Sequence, residues 1–262
     1  MARRLEGKRA VVTGAGVGIG LGVAMDFANE GAQVVLHYAN SAKSANEAVK
    51  KMIEGGGKAT VVQGDLSVVK DCIRMIDEAA EFMGGIDILV NNAGMTARRS
   101  FLEIDQEFYD SVLNLNMRGY FFCAQQAVRH MIEQGKGGSI INMTSIHAFL
   151  SMSEYAAYAS TKGAIVSFTR QLAKEMLEHK IRVNALAPGM IEVPRHLENP
   201  LYDHERACQN HIWGRVGTPE DCAKLTTFLA SDDADFITAQ IISIDGGATA
   251  GQGGKPMKIK KD

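Results

Sequence analysis

Short runs of aliphatic and β-branched residues recur along the chain, and between them lie longer segments in which apolar residues return every three or four positions. Lys8–Thr13, Gln33–His37, Thr60–Gln63, Asp87–Asn91, Ser139–Met143, Arg182–Leu186 and Ile241–Ile244 have the pattern of buried strands. Leu21–Asn29, Ser44–Glu54, Val68–Met83, Phe108–Glu133, Tyr158–Glu178 and Glu220–Ala230 have the spacing of amphipathic helices. Strands that alternate with helices in this way imply right-handed crossovers, because a helix must return the chain to the same edge before the next parallel strand begins. The pattern therefore predicts an α/β fold: one doubly wound domain over residues 1–262, with a seven-stranded parallel sheet covered on both faces. Gly31, Gly55–Gly57, Gly84 and Gly85 fall where helices should stop. The alternation lapses over Gly189–Gly217, which is too long and too irregular to be a simple connection and is expected to form a lid. The glycine- and lysine-rich Gly251–Asp262 is expected to be a flexible tail.

Composition narrows the choice of partner. With 28 basic and 30 acidic residues among 262, the net charge of −2 gives no reason to expect nucleic acid or a membrane surface. A small-molecule substrate is the expected partner. No apolar run approaches the roughly 18 residues needed to span a bilayer, and the basic N-terminus lacks a signal-peptide core, so a cytoplasmic location is expected. Cys72, Cys123, Cys208 and Cys222 are scattered without metal-ligand spacing, which suggests packing or surface thiols, a reducing compartment and no metal.

Candidate chemistry begins directly after the first strand, in TGAGVGIG, Thr13–Gly20. Glycines there let the backbone approach a pyrophosphate, whose charge is met by N–H groups at the start of the following helix. Gly14, Val17, Gly18 and Ile19 are the candidate contacts. Dinucleotide sites often carry an acidic side chain at the end of the second strand, where it binds the adenosine ribose. Here that position is Tyr38, followed by Asn40, Ser41 and Lys43, which would instead accommodate a 2′-phosphate and favour NADP over NAD.

The run EYAAYASTK, Glu154–Lys162, places two tyrosines ahead of a lysine. Tyr158 and Lys162 are four apart and share a helix face, whereas Tyr155 is seven from the lysine. A nearby ammonium favours the phenolate, so Lys162 is expected to bring Tyr158 towards a working pKa, with Tyr155 left for packing. The alternative is that the pair merely decorates a helix. Ser145, just after the fifth predicted strand, and NNAG, Asn91–Gly94, at the end of the fourth, fall on the same carboxyl edge of the sheet.

Taken in order, TGAGVGIG, GDL at Gly64–Leu66, NNAG, NMRG at Asn116–Gly119, Ser145, YASTK at Tyr158–Lys162, RVNALAPG at Arg182–Gly189 and DGG at Asp245–Gly247 resemble the motifs of the short-chain dehydrogenase/reductase family. The resemblance spans nearly the whole chain and implies a nicotinamide-dependent oxidoreductase with a Rossmann sheet. It implies that Tyr158 is the general acid/base, that Lys162 tunes it and holds the nicotinamide ribose, that Ser145 orients the substrate oxygen, and that Asn116 positions a relay water. Asp65 and Leu66 would border the adenine, Asn92, Ala93 and Gly94 would line the adenosine and ribose path, and Pro188, Gly189 and Ile191 would pass beside the nicotinamide. The family often has threonine where PGMIEV places Val193, which leaves that contact in doubt.

Within the family, INMTSIHA and HYANSAKSANE are most similar to bacterial glucose 1-dehydrogenases, and the 3-oxoacyl-carrier-protein reductases share most motifs. The resemblance thus implies interconversion of a secondary alcohol or sugar hydroxyl with its carbonyl, or reduction of a 3-oxoacyl thioester. A third reading, a non-catalytic nicotinamide-binding redox sensor, would be expected to have lost part of the tetrad, and Asn116, Ser145, Tyr158 and Lys162 are all present. His147 either binds a substrate hydroxyl or caps a turn; Met95, Met152, Glu192, His196 and Trp213 either reach substrate or pack the lid. Arg98 and Arg99 either meet an acidic partner or are solvated. The family's usual assembly implies a homotetramer.

Overall fold

The computed structural model of the protein describes residues 3–209, 211 and 213–250; the tail expected at 251–262 lies outside them. The strands are β1 (Arg9–Val12), β2 (Gln33–Tyr38), β3 (Ala59–Gln63), β4 (Ile88–Asn91), β5 (Gly138–Met143), β6 (Ile181–Pro188) and β7 (Ile241–Ile244). The helices are α1 (Gly18–Asn29), α2 (Ala42–Glu54), α3 (Val69–Met83), α4 (Gln106–Leu113), α5 (Gly119–Gln134), α6 (Ala156–Glu175), α7 (Pro194–Leu197), α8 (His204–Gln209) and α9 (Pro219–Ala230). The seven strands pair in the order β3-β2-β1-β4-β5-β6-β7. Every pairing is parallel, with Val11 beside Val35 and Leu89, and Ile141 beside Val90 and Asn184. This is the expected single doubly wound domain.

Neighbouring residues on one strand serve opposite layers. Val12, Val34, Leu36, Val90 and Ile141 belong to the core under α1 and α9, while Val11, Val35, Leu89 and Ile140 belong to the one under α3 and α5. A strand buried on both sides has no polar face, which is why its sequence shows continuous rather than alternating apolar residues. The chain winds outward from β1 in both directions, so the carboxyl ends of β1 and β4 diverge and leave a crevice between their loops.

Most elements shift by one to three residues from the expected bounds, and three differences bear on the site. The helix expected over Phe108–Glu133 divides into α4 and α5 at a π turn, Asn114–Arg118, closed by a hydrogen bond from the Gly119 N–H to the Asn114 carbonyl. The turn inserts an extra residue and rotates Asn116 into the interior, a change that helical periodicity does not register. The expected helix Tyr158–Glu178 begins earlier, at Ala156, and ends at Glu175, before a 3-10 turn over Leu177–His179 and a left-handed Lys180. The expected lid contains α7, opened by Pro194, and α8, and its two ends meet in a parallel bridge between Ile191 and Gly217.

Candidate active site

At one end of the crevice the chain leaves β1 and turns through Thr13–Val17 into α1. Gly14 and Gly18 have φ of +62° and +60°, and a Cβ on Gly14 would stand 2.7 Å from the Ala93 Cα. Glycine is needed at Gly14 on both counts. The loop is braced by the end of β4: the Thr13 hydroxyl accepts from the N–H groups of Asn92 (2.8 Å) and Ala93 (3.0 Å), and the Asn92 amide donates to the carbonyls of Thr13 and Gly14. Val17, at the N-cap of α1, offers no side-chain oxygen, and the first turn contains no acidic residue. The N–H groups and positive dipole end of α1 are therefore left for an anion.

A residue that sequence reasoning passed over completes this loop. The Gly14 N–H donates to Nδ1 of buried His37 at 3.1 Å, and Nε2 faces the Gly64 carbonyl at 3.0 Å. Those partners require the neutral ring protonated on Nε2. Burial, with Arg74 nearby, pushes the His37 pKa down. The signal in the sequence was a histidine inside an otherwise apolar strand.

Beyond β2 the crevice is lined by Tyr38, Asn40 and Ser41, and across from them by Asp65 and Leu66, with no carboxylate at Tyr38. Lys43 does not line it; the basic side chain that does at this end is Arg74, which pairs with Asp71 and Glu78 and donates to the Gln63 carbonyl.

At the other end, α6 carries both Tyr158 and Lys162 inward, and both are buried. Lys162 does not bond to the tyrosine. Its Nζ donates to the Met143 carbonyl at 2.9 Å and lies 5.6 Å from the centre of the Tyr158 ring. Burial brings the Lys162 pKa down to about 8. The Tyr158 pKa is raised, against the sequence expectation, because burial outweighs the opposing pull of the Ser145 and Thr96 hydroxyls and of Arg195. Ser145 ends the β5 loop, where its hydroxyl accepts from the His147 N–H at 3.2 Å.

Asn116 does not line the crevice. Its side-chain oxygen accepts from the Met95 N–H at 2.8 Å, while its amide donates to the Met95 carbonyl at 2.9 Å and the Thr161 hydroxyl at 3.3 Å. The side chain of Asn116, the residue expected to position a relay water, is thus committed to joining the β4–α4 loop to α6. Tyr155 is part of the crevice wall rather than the core: its ring stacks on His147 at 4.8 Å and meets Tyr158 edge-on at 5.8 Å. His147 lines the same wall, with its Nδ1 buried and unpartnered.

The lid closes this end. Val193 stands against Gly18, where an added Cβ would come within 3.2 Å of it, so the position in doubt packs on the glycine loop. Arg195 reaches across to donate to the Thr96 hydroxyl at 3.3 Å. Glu192 faces away from the crevice and accepts from the Tyr202 hydroxyl and the His204 ring, both at 2.7 Å. Trp213 is 71% exposed and packs beside Gly246. Neither lines the crevice, whereas Met95, Met152 and His196 do. Arg98 and Arg99 are paired with Glu154 and Asp105 and lie over the rings of Tyr155 and Phe108.

The glycine loop, the Tyr38 segment and the Tyr158 wall belong to one cleft of about 1300 Å³ running from Tyr38 to Arg195, which Pro188, Gly189 and Ile191 also line. Among the described residues no helix is long and apolar enough to cross a membrane, and no group of three potential metal ligands occurs.

A family model described as enoyl-(acyl carrier protein) reductase matches residues 14–249. The chain is 38% identical over 258 residues to tetrahydroxynaphthalene reductase of Pyricularia oryzae, covering 93% of this chain and 90% of that protein. It is 36% identical over 257 residues to versicolorin reductase of Emericella nidulans, covering 94% and 97%. A solved short-chain dehydrogenase from Burkholderia cenocepacia, in complex with NADP, superimposes with a TM-score of 0.87 at 32% identity, over 94% of this chain and 99% of that one. Where the sequence pointed to glucose dehydrogenases and 3-oxoacyl-carrier-protein reductases, these relatives are reductases named for a tetrahydroxynaphthalene and for versicolorin.

Proposed function

Because the chain belongs to the short-chain dehydrogenase/reductase family, and is therefore a nicotinamide-dependent oxidoreductase, we propose that it uses NADPH to reduce the ring ketone of an aromatic or polycyclic substrate. The observation that carries this reading is the substrate end of the cleft. A buried Tyr158 hydroxyl lies beside Ser145 under a wall of stacked rings, His147 on Tyr155 with Tyr158 edge-on. Met95, Met152 and Met190 line the same space. Flat rings and thioethers suit a planar apolar substrate; a sugar, with a hydroxyl on almost every carbon, would need more polar partners than this wall supplies.

The residues present fit the cofactor. The uncapped start of α1, closed over by Val193, leaves its N–H groups for the pyrophosphate. Tyr38, Asn40 and Ser41 leave room for a 2′-phosphate where an acidic side chain would repel it, which supports NADP over NAD. Asp65, Leu66, Asn92, Ala93 and Gly94 would follow the adenosine and ribose, and Pro188, Gly189 and Ile191 the nicotinamide. The bound reduced nicotinamide supplies the hydride.

Ser145 holds the substrate oxygen, and Tyr158 donates its proton to that oxygen as the carbonyl carbon is reduced. Burial keeps the Tyr158 hydroxyl protonated at neutral pH, the form a reductase needs. Lys162, anchored on the Met143 carbonyl, keeps a positive charge close to the ring and stabilises the phenolate left behind. Asn116 acts as a positioning residue that fixes Met95 against α6. The test is NADPH oxidation against a panel of cyclic aryl ketones, aldoses and 3-oxoacyl thioesters. Turnover of the aryl ketones is expected, while activity confined to sugars or thioesters would overturn the substrate assignment. Arg98 and Arg99, the pair offered for an acidic partner, are themselves engaged with Glu154 and Asp105.

A further inference from the structure

Three cationic groups, Lys162, Arg74 and Arg195, line the cleft, apart from its histidines. Lys162 is buried on a carbonyl, and Arg74, at the adenosine end, is matched by Asp71 and Glu78. Arg195 has no carboxylate partner among the described residues, in contrast to Arg98, Arg99 and Arg215, which are paired with Glu154, Asp105 and Asp221. Its described side-chain hydrogen bond goes to the Thr96 hydroxyl, and Thr96 in turn lies beside Tyr158. The two acidic side chains that line the cleft, Asp65 and Asp71, are both at the adenosine end. Of the two carboxylates three residues from Arg195, Glu192 is turned towards Tyr202 and His204, and Glu198 is exposed and does not line the cleft. The substrate end therefore combines a guanidinium without a described carboxylate partner with apolar walls and no lining carboxylate, which leaves Arg195 free for a charge-assisted hydrogen bond to an anion.

Resting on the reductase reading above, we propose that Arg195 is a specificity-determining residue that binds an ionised oxygen on the substrate, such as a carboxylate or an acidic phenol or enol, apart from the reacting carbonyl. The cofactor phosphates do not account for it. The cradle for them is the glycine loop, which Val193 covers, and Arg195 extends instead to the loop after β4. Because α7 belongs to the lid, an anionic substrate would join the lid to the Tyr158 wall, and its binding would favour closure.

The test compares NADPH-dependent reduction of 1-tetralone with that of a 1-tetralone carrying a ring carboxylate, by the wild type, Arg195→Met and Arg195→Lys. Arg195 is exposed, so these variants should fold. The wild type should favour the carboxylate. Arg195→Met should lower the ratio of kcat/KM for the carboxylate over the parent ketone by about 10- to 100-fold, mainly through KM, and Arg195→Lys should restore part of it. An equal ratio in the wild type and Arg195→Met, or a loss confined to the KM for NADPH, would overturn the proposal while leaving the reductase reading standing. A wild type that reduces neither ketone would remove both.

Discussion

Tyr158 and Lys162 show how one environment serves two groups differently. Burial raises the tyrosine pKa and lowers that of the lysine to about 8, so at neutral pH one stays a proton donor and the other a cation. Replacing Tyr158 with Phe removes the donor without opening a cavity, and kcat should fall by about 100- to 10,000-fold with NADPH still bound, as read by fluorescence titration. Lys162 should behave less intuitively. Its folded pKa of about 8 lies below the ordinary 10.5, so between those values the unfolded chain holds a proton that the folded chain lacks, and stability rises with pH there. Below that window the buried charge is a net cost. Lys162→Met should therefore abolish turnover yet raise stability at pH 7 by about 1–3 kcal/mol in urea titration. The relation of the two residues was legible in the sequence, because four positions on a helix fix a shared face. The Met143 acceptor was not, since it comes from a strand distant in sequence whose carbonyl carries no side-chain signature. Arg195 was hidden for a related reason: it reaches Thr96 from a segment without periodicity.

The strand-to-helix turn after β1 depends on His37 remaining neutral. Protonated Nδ1 would confront the Gly14 N–H with a second donor, and the groups that face the ring, Arg74, Asp65 and Asp71, do not offer it another acceptor at that position. Because the folded pKa lies below the ordinary 6.5, the unfolded chain takes up the proton first. This contribution to stability is complete above about pH 6.5 and is lost as pH falls through the lower folded value. Tm should fall as pH drops below about 6.5, with NADPH affinity following as the folded ring takes up its proton, and His37→Gln, which can donate to Gly64 and accept from Gly14, should flatten both profiles. Equal pH dependence in the variant would count against the tie. The strands and most helices were readable because two-sided burial leaves continuous apolar runs and one-sided burial leaves a stripe. The π turn at Asn114–Arg118 was not, because one inserted residue changes the direction of Asn116 without disturbing the apolar spacing on either side.

Among the exposed apolar side chains of the molecule are Leu102 (92%) and Phe101 before α4, Tyr109 on α4 and Phe121 (42%) on α5, whose ring meets Phe168 of α6 at 5.4 Å. Apolar side chains exposed on α4 and α5 are expected to be covered by another copy of the chain, as in the homotetramer that the family resemblance implies. Light scattering should give a mass of more than one chain, and Phe121→Glu should lower it; a wild-type monomer would remove the assembly. The parallel seven-stranded sheet and the carboxyl edge that carries the site followed from the alternation of elements; the strand order is read from the structure. The substrate class did not, because the ring wall is assembled from the β5 loop, the start of α6 and the β4 loop, which meet only in the folded chain.

The decisive measurement is the rate of NADPH oxidation by the wild type and by Tyr158→Phe with cyclic aryl ketones, set against NADP reduction by aldoses. Ketone-dependent oxidation in the wild type, lost in Tyr158→Phe without loss of NADPH binding, is the expected result. Aldose-dependent reduction of NADP with no ketone activity, or equal rates in the two proteins, would contradict it.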